Sequence, residues 1–501
     1  MIFELFLFSR GQHETNRFTP IRRTKIVATL GPASDREGVL EGMLRAGVDA
    51  VRLNFSHGSA DDHRRRLVEV REISQRLGRS VAVLADLQGP KIRIARFKDD
   101  SVLLGEGQPF VLDMLLDSNA GDITRVGCDY KTLADDVIVG DRLLLDDGRL
   151  VLEVSAIEGQ EIHTRVVVGG KLSNNKGINK EGGGLSAAAL TEKDKRDIKT
   201  AVEIGVDYLA VSFPRSAADM QEARKLLGGQ GEEIGLVAKI ERAEAVADDE
   251  ILDGIIMASE AVMVARGDLG VEIGDAQLIG VQKRMIKRAR SLNRAVITAT
   301  QMMETMISAP LPTRAEVFDV ANAVLDGTDA VMLSAETAAG DFPVETVKAM
   351  DRLCLGAERE RSAQESGHRI HQDFLQVDET VALSAMYAAN HLAGVTAIAC
   401  MTSSGFTALI ASRIHSGLPI IGLAQSEISQ RRMALYRGVV SLAFDTTSMK
   451  AEELNDKAIE LLVSKGIVSQ NDHVILTRGN HMNAHGGTNT MKILAVNQSI
   501  R

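Results

Sequence analysis

Lys239 and Glu241 stand two residues apart in Leu-Val-Ala-Lys-Ile-Glu (236–241). Side chains of an extended strand alternate with period two, so both project from one face. A second apolar run, Ala-Val-Met-Val-Ala-Arg-Gly-Asp-Leu-Gly (261–270), leads into Asp268. If both runs are buried parallel strands, each delivers an acid at its carboxyl end and one also delivers an amine. Two carboxylates and one ammonium are what a divalent cation and a phosphate require together. The competing reading is a buried ion pair that only ties two strands.

Those side chains need elements to carry them. From Thr24 onward, apolar runs ending in polar clusters alternate with amphipathic helical segments. The runs predict strands at Lys25–Leu30, Ala50–Leu53, Val81–Ala85, Tyr208–Ser212, Leu236–Ile240, Ala261–Ala265, Ala295–Ala299 and Ala330–Leu333. Continuous apolar strands separated by helices imply a parallel sheet covered on both faces. Eight such units predict an α/β fold, a (β/α)₈ TIM barrel, in which chemistry gathers where strands end and βα loops begin.

Between the third and fourth runs, from about Lys91 to Gly184, the helical period disappears. Short alternating segments (Phe110–Met114, Val137–Leu145, Leu150–Val154) are separated by turn signals such as Asp147-Gly148. This predicts an inserted all-β domain over a top-face loop, entered at Pro90 and left through Lys176-Gly177 and Gly182-Gly183-Gly184. Glycines there suit a hinge, and the domain is placed to act as a lid. After about Leu355 a third region begins. A helix over Glu379–Leu392 precedes a strand over Thr396–Met401, then Thr402-Ser403-Ser404-Gly405-Phe406-Thr407 and another helix. Strands at Pro419–Leu423, His473–Thr477 and Lys492–Val496 and a helix over Ala451–Lys465 complete a smaller open α/β domain. Hydroxyls and a glycine between strand and helix make an anion site or an ordinary N-cap. The expected division is 1–20 as an N-terminal arm, 21–89 with 186–356 as the barrel, 90–185 as the lid and 357–501 as the C-terminal domain.

With 501 residues, 45% hydrophobic and 25% charged, the chain has room for three cores of ordinary composition. A formal charge of −10 argues against a general nucleic-acid binder. Cys128, Cys354 and Cys400 form neither metal-ligand spacing nor a disulfide framework, which fits a reducing cytosol, with each thiol a small buried hydrophobe. Met1–Phe8 is apolar but too short for a signal segment, and no stretch reaches about 18 uninterrupted apolar residues, so no membrane partner is expected.

The strand ends collect a consistent set. They present Arg52, Asn54, Ser56 and His57; Asp86 followed by Lys91 and Arg93; Lys239 and Glu241; Asp268; Thr298 and Thr300; and Ser334 and Glu336. Cations, acids and hydroxyls at one mouth suit phosphoryl transfer, where positioning and charge neutralisation dominate. Neither the P-loop nor the protein-kinase signatures are present.

At these residues the chain resembles pyruvate kinases. The runs Thr-Lys-Ile-Val-Ala-Thr-Leu-Gly-Pro-Ala-Ser (24–34), Val-Arg-Leu-Asn-Phe-Ser-His-Gly (51–58), Ala-Lys-Ile-Glu (238–241), Met-Val-Ala-Arg-Gly-Asp-Leu-Gly (263–270), Ile-Thr-Ala-Thr-Gln-Met-Met-Glu (297–304), Pro-Thr-Arg-Ala-Glu (312–316) and Met-Leu-Ser-Ala-Glu-Thr (332–337) carry the resemblance, in the family's order. It implies glycolytic transfer of phosphate from phosphoenolpyruvate to ADP, giving pyruvate and ATP, in a cytoplasmic homotetramer. It makes Glu241 and Asp268 ligands of magnesium or manganese, and sets Lys239 and Arg52 on the phosphoryl group. Backbone near Arg266, Gly267 and Asp268, with Thr300, would hold the substrate carboxylate. Thr300 and Ser334 would belong to the route that protonates the enolate, and Asn54, His57, Arg93 and Lys176 would contact nucleotide phosphates. For His57, loop capping is the competing role.

One departure stands out. Many relatives bind potassium through positions matching Asn54, Ser56, Asp86 and the carbonyl of Leu87, and carry an acid where this chain has Lys91, in Asp-Leu-Gln-Gly-Pro-Lys-Ile-Arg (86–93). A tethered ammonium supplies the same charge without ion binding, so potassium is expected not to be required; the alternative is that Lys91 only faces nucleotide phosphate. The resemblance also makes the C-terminal domain regulatory, with Thr402, Ser403, Ser404, Gly405 and Thr407 as an effector phosphate cradle. The late loop Gly479–Gly487 lacks an arginine or tryptophan for a second phosphate, which favours a monophosphate activator, AMP or a sugar phosphate. His481 and His485 in that loop are not expected to bind metal. The other readings are a barrel that makes or breaks carbon–carbon bonds on phosphoenolpyruvate or pyruvate, and a silent sugar-phosphate sensor. The first would not need the lid or Lys176; the second would favour loss of a catalytic position, and none is lost.

Overall fold

The computed structural model describes residues 21–364, 373–447, 449–479 and 487–496. The expected arm 1–20, with Met1–Phe8, and the histidines His481 and His485 lie outside the described residues.

Eight parallel strands close into a barrel. They are β1 (Lys25–Leu30), β2 (Ala50–Asn54), β3 (Ala82–Asp86), β4 (Tyr208–Val211), β5 (Gly235–Ile240), β6 (Ala261–Ala265), β7 (Ala295–Ala299) and β8 (Ala330–Leu333). Neighbours follow chain order, and β8 pairs with β1 through Lys25↔Ala330 to Ala28↔Leu333. Each run is buried along nearly its whole length, as a sheet covered on both faces requires. Alternate residues separate two cores. Ile26, Ala28, Val51, Val83 and Val262 face the surrounding helices, while Val27, Ala50, Leu84, Val237, Met263 and Ile297 fill the barrel.

The helices start and stop by local rules. Ser59, Thr191 and Thr313 open Ala60–Leu77, Glu192–Ile204 and Arg314–Asp326 through reciprocal bonds with Asp62, Asp194 and Glu316, and Gly78, Gly205 and Gly327 close them in the left-handed region.

The insertion after β3 is mostly antiparallel. Its larger sheet runs Ile178–Lys180, Arg142–Leu145, Leu150–Glu158, Glu161–Val168, Pro109–Asp113, Arg125–Gly127, with Ser101–Leu104 and Gly170–Ser173 paired separately. Its own core includes Phe110, Leu112, Leu152 and Val166. The strand expected over Val137–Leu145 is confined to Arg142–Leu145, because the Asp141 carboxylate accepts from the Ile138 N–H at 2.8 Å and folds 138–141 into a turn. One helical turn, Leu133–Asp136, also breaks the all-β expectation.

In the C-terminal region, β9 (Val395–Met401), β10 (Ile420–Ala424), β11 (Val439–Ala443), β12 (His473–Gly479) and β13 (Thr488–Ala495) form a sheet of order β11-β10-β9-β12-β13, parallel except for β13. The edge strand β11, half-buried and interrupted by Ser441, was not foreseen. This domain docks on the amino ends of the barrel strands. The Asp329 carboxylate, just before β8, pairs with the Arg413 guanidinium and also accepts the Arg437 N–H at 2.9 Å. Lys25 Nζ donates to the Val439 carbonyl at 2.6 Å, and the Tyr208 hydroxyl donates to the Arg432 carbonyl at 2.7 Å. The mouth at the carboxyl ends is therefore left to the insertion. All three cysteines are buried and free, and burial pushes the Cys400 thiol up to about 11. Among the described residues, no helix is long and apolar enough to cross a membrane.

Candidate active site

The parity that sends Val27, Ala50, Leu84, Val237 and Met332 into the barrel sends Thr29, Arg52, Asp86, Lys239 and Ser334 to its upper layer. The contacts agree. Arg52 Nε donates to Asp86 Oδ2 at 2.5 Å, and Arg52 Nη1 to Thr29 Oγ1 at 3.2 Å. Lys239 Nζ donates to Ser212 Oγ at 2.7 Å and lies 3.0 Å from Glu241 Oε1 and 3.3 Å from Asp86 Oδ1. One ammonium thus holds together three oxygens, from the end of β3 and from the residues just past β4 and β5, with the Lys239 side chain 12% and that of Glu241 4% exposed.

Burial works against charge on Lys239, but Asp86 and Glu241 outweigh it and raise its pKa. Burial also pushes the Asp86 carboxyl up, and Arg52 and Lys239 overcome this to hold it below the usual carboxylate range. Glu241 moves the other way. Burial raises it, Lys239 opposes, and the carboxylates of Asp268 and Asp86 raise it further. The Phe213 N–H donates to Glu241 Oε2 at 2.9 Å from a backbone with φ of 56°. A non-glycine residue held there fits a site whose geometry is imposed by its surroundings.

Asp268 enters from the first turn of helix Arg266–Ile273, with its side chain beside that of Lys91; Lys91 Nζ lies 3.0 Å from Asp268 Oδ1. Lys91 is thus carried to Asp268, not into a described contact with Asn54, Ser56 or Asp86. Those groups have other partners. Asn54 Oδ1 accepts from the Ser56 N–H at 3.1 Å, and the Leu87 carbonyl accepts from Ser212 Oγ at 2.8 Å.

At Arg266 the expected contribution is backbone, and its side chain is engaged elsewhere; the expectation for Thr298 needs correction. The Arg266 guanidinium does not point to the mouth: it forms a bidentate pair with Asp319 at 2.6 and 2.8 Å and donates to the Thr300 carbonyl at 2.6 Å. Thr298 has the same parity as Thr300 but lies within β7 on the face turned away from the barrel interior, and its hydroxyl donates to Thr328 Oγ1 at 3.0 Å in full burial. Thr300 itself, at φ 65°, turns its hydroxyl to accept the Gly267 N–H at 2.9 Å. The Ser334 N–H donates to Glu336 Oε2 at 2.6 Å, and Glu336 is buried with its pKa raised by that burial.

Arg93 and Lys176 lie side by side in the insertion, joined by the bridge Arg93↔Gly177. Arg93 donates to the Asn175 carbonyl at 3.0 Å, and Lys176 pairs with Asp146 at 2.6 Å. His57 is exposed at the rim, its N–H on the Asn54 carbonyl at 3.1 Å. In the C-terminal domain, Thr402 Oγ1 accepts the Gly405 N–H at 2.9 Å and Ser403 stays exposed. Thr407 is buried against Thr488, with hydroxyls 2.6 Å apart. Ser212, Thr29 and Asp319 belong to the constellation but were not singled out from sequence. Inward parity was the available signal for the first two.

The family model for the pyruvate kinase barrel domain matches residues 21–347, and that for the pyruvate kinase alpha/beta domain matches 379–494. The chain belongs to the pyruvate kinase family. It is 59% identical over 476 residues to Pyruvate kinase II of Salmonella typhimurium, covering 95% of this chain and 99% of that protein. It is 58% identical over 459 residues to a pyruvate kinase of Haemophilus influenzae, at 92% and 96% coverage. A pyruvate kinase of Geobacillus stearothermophilus is 40% identical over 476 residues, at 94% and 80% coverage. The chain is accordingly a phosphotransferase, and membership implies a divalent metal. Among the described residues, no cluster of three or more His, Cys, Asp or Glu forms a complete cage. Two neighbouring acids, one of them buried and with its pKa raised first by that burial and then by the other's charge, fit a dication whose remaining positions would be filled by substrate oxygens and water.

Proposed function

We propose that this chain transfers the phosphoryl group of phosphoenolpyruvate to ADP, giving pyruvate and ATP in glycolysis. The observation that carries the reading is the Lys239 ammonium, held by Ser212, Asp86 and Glu241 at the barrel mouth. Glu241 and Asp268 would hold the divalent ion, magnesium or manganese. When bound, the metal neutralises phosphate charge and polarises substrate oxygens.

The remaining work belongs to the chain's own groups. Lys239 meets the phosphoryl group with a charge that its acid partners keep protonated. Arg52, aligned by Asp86 and Thr29, adds a second cation. The substrate carboxylate lies against the amino end of helix Arg266–Ile273, where the Asp268 N–H donates and the Gly267 N–H and Thr300 hydroxyl, bonded to each other in this structure, exchange that bond for the carboxylate. Arg266 acts from behind, fixing Thr300 through its carbonyl. Thr300 and Ser334 lie on the route that brings a proton to the enolate. Asn54, His57, Arg93 and Lys176 take the nucleotide phosphates, the last two riding on the lid, which closes to exclude water.

Potassium is not required in this reading, because Lys91 brings a fixed positive charge to the Asp268 side of the mouth. The loop Thr402, Ser403, Ser404, Gly405 binds the phosphate of an activator, AMP or a sugar monophosphate, while Thr407 shapes the loop from beneath. The arm, barrel, lid and regulatory domain are taken at 1–20, 21–89 with 186–356, 90–185 and 357–501, in a cytoplasmic homotetramer. The test is pyruvate formation from phosphoenolpyruvate and ADP with magnesium. Turnover in potassium-free buffer is expected; a folded protein that binds sugar phosphate and makes no pyruvate would overturn the reading.

A further inference from the structure

Glu272 is buried on the helix whose first turn carries Asp268, one turn further along the same face. Its carboxylate does not face the mouth. Glu272 Oε2 accepts the Ala243 N–H at 2.8 Å, two residues after Glu241 in the loop that follows β5. Glu272 Oε1 accepts from Asn179 Nδ2 at 3.4 Å, and the Glu272 carbonyl accepts the Gly182 N–H at 2.9 Å. Asn179 and Gly182 belong to the chain returning from the lid. Gly182, Gly183 and Gly184 follow one another at φ of 78°, 81° and 96°, a backbone that side chains rarely adopt. A Cβ at Gly183 would meet the Glu244 carboxylate at 2.7 Å, so the return passes close over the same loop.

We propose that Glu272 is a positioning residue for the divalent-cation site: it ties the segments bearing Glu241 and Asp268 to each other and to the returning strand of the lid. Neither segment pairs with the other through backbone at this height, because β5 and β6 have ended. A shared acceptor is then what sets the spacing of the two carboxylates. Burial pushes the Glu272 carboxyl up to about 7, against the pull of the Ala243 N–H and Arg242, as befits a group sealed inside a join. Arg242 closes the same join, donating to the Leu185 carbonyl at 2.9 Å.

The inference rests on Glu241 and Asp268 being the metal ligands, so the experiment separates the two. Mn²⁺ binding to the whole protein, without substrates, is measured by electron paramagnetic resonance for the parent, Asp268→Asn, Glu272→Gln and Glu272→Ala. Outer partners of metal ligands typically change affinity by about 10–100-fold. Glu272→Ala is therefore expected to weaken Mn²⁺ binding at least about tenfold. Glu272→Gln, which keeps its size and one acceptor, should lose less. Saturating metal should restore kcat, a split that general unfolding would not produce. If Asp268→Asn abolishes binding while both Glu272 variants stay within about twofold of the parent, the inference fails and the metal site stands. If Asp268→Asn leaves binding intact, the metal-site reading itself fails. Should Glu272→Ala not fold, the near-isosteric Gln variant decides, and an unchanged affinity there overturns the proposal.

Discussion

Reversing the charge at Lys91 tests how the mouth is neutralised. Lys91 Nζ and Asp268 Oδ1 are 3.0 Å apart, with side chains 27% and 21% exposed. At an effective dielectric of about 20, unit charges at that distance attract by about 5.5 kcal/mol before desolvation and screening. A partly exposed pair retains about 1 kcal/mol or less of this as stability, so Lys91→Glu should melt within a few degrees of the parent. Its effect on turnover should be larger. Two units of positive charge are removed beside an acid that, in the proposed function, holds a dication near phosphate, and losing one well-placed electrostatic group costs about 3 kcal/mol, or about 100-fold in rate. Pyruvate formation is followed in tetramethylammonium buffer and again with added potassium. The parent should change by less than about twofold, while Lys91→Glu should be about 100-fold slower without potassium and recover at least about tenfold with it. Lys91→Met should fall between them. A parent that needs potassium, or a glutamate variant indifferent to it, would refute the idea that the tethered ammonium replaces the ion.

Three further outcomes follow from the same contacts. Asp329→Ala strands the fully buried Arg413 guanidinium between barrel and C-terminal domain; urea unfolding should show a loss of about 3–5 kcal/mol, and a loss below about 1 kcal/mol would contradict that account. Arg266→Met should reduce kcat/KM by at least about tenfold through the displaced Thr300 backbone although the guanidinium faces Asp319, and parent-like kinetics would show that Thr300 holds its place alone. His63, buried and stacked on Phe55 at 4.3 Å, has its pKa lowered from 6.5 to about 4, first by burial and then by Arg66. The unfolded chain then binds the extra proton, so stability is complete above pH 6.5 and falls as pH drops toward 4, by up to about 3 kcal/mol. His63→Gln should flatten that part of the pH–stability curve.

The barrel was legible because each strand is a nearly unbroken apolar run of four to six residues between helices closed by their own caps. The insertion was visible as a loss of helical period, yet its turn at 138–141 was not, because Ile138 and Val139 read as strand until Asp141 bonds back to them. At the site, parity along β2, β3 and β5 was enough to gather Arg52, Asp86, Lys239 and Glu241. It could not tell Thr298 from Thr300, because the backbone leaves the strand between them and enters the left-handed region at Thr300 and Gln301. Nor could it show that Arg266 turns back to Asp319, or that Lys91 reaches Asp268. Each of those pairs joins residues far apart in the chain, and only closure of the barrel brings them together. Glu272 was hidden for the same reason, since Ala243 and Asn179 lie on two other segments.

The most direct test of the central claim is to replace Lys239 with methionine and follow pyruvate and ATP together under saturating phosphoenolpyruvate, ADP and magnesium. Methionine keeps most of the length of the side chain but removes the charge shared by Asp86 and Glu241. Both products should fall in parallel by about 10²–10³-fold, with the fold intact by circular dichroism. Turnover within about tenfold of the parent would mean that the ammonium at the centre of the mouth is not what meets the phosphoryl group.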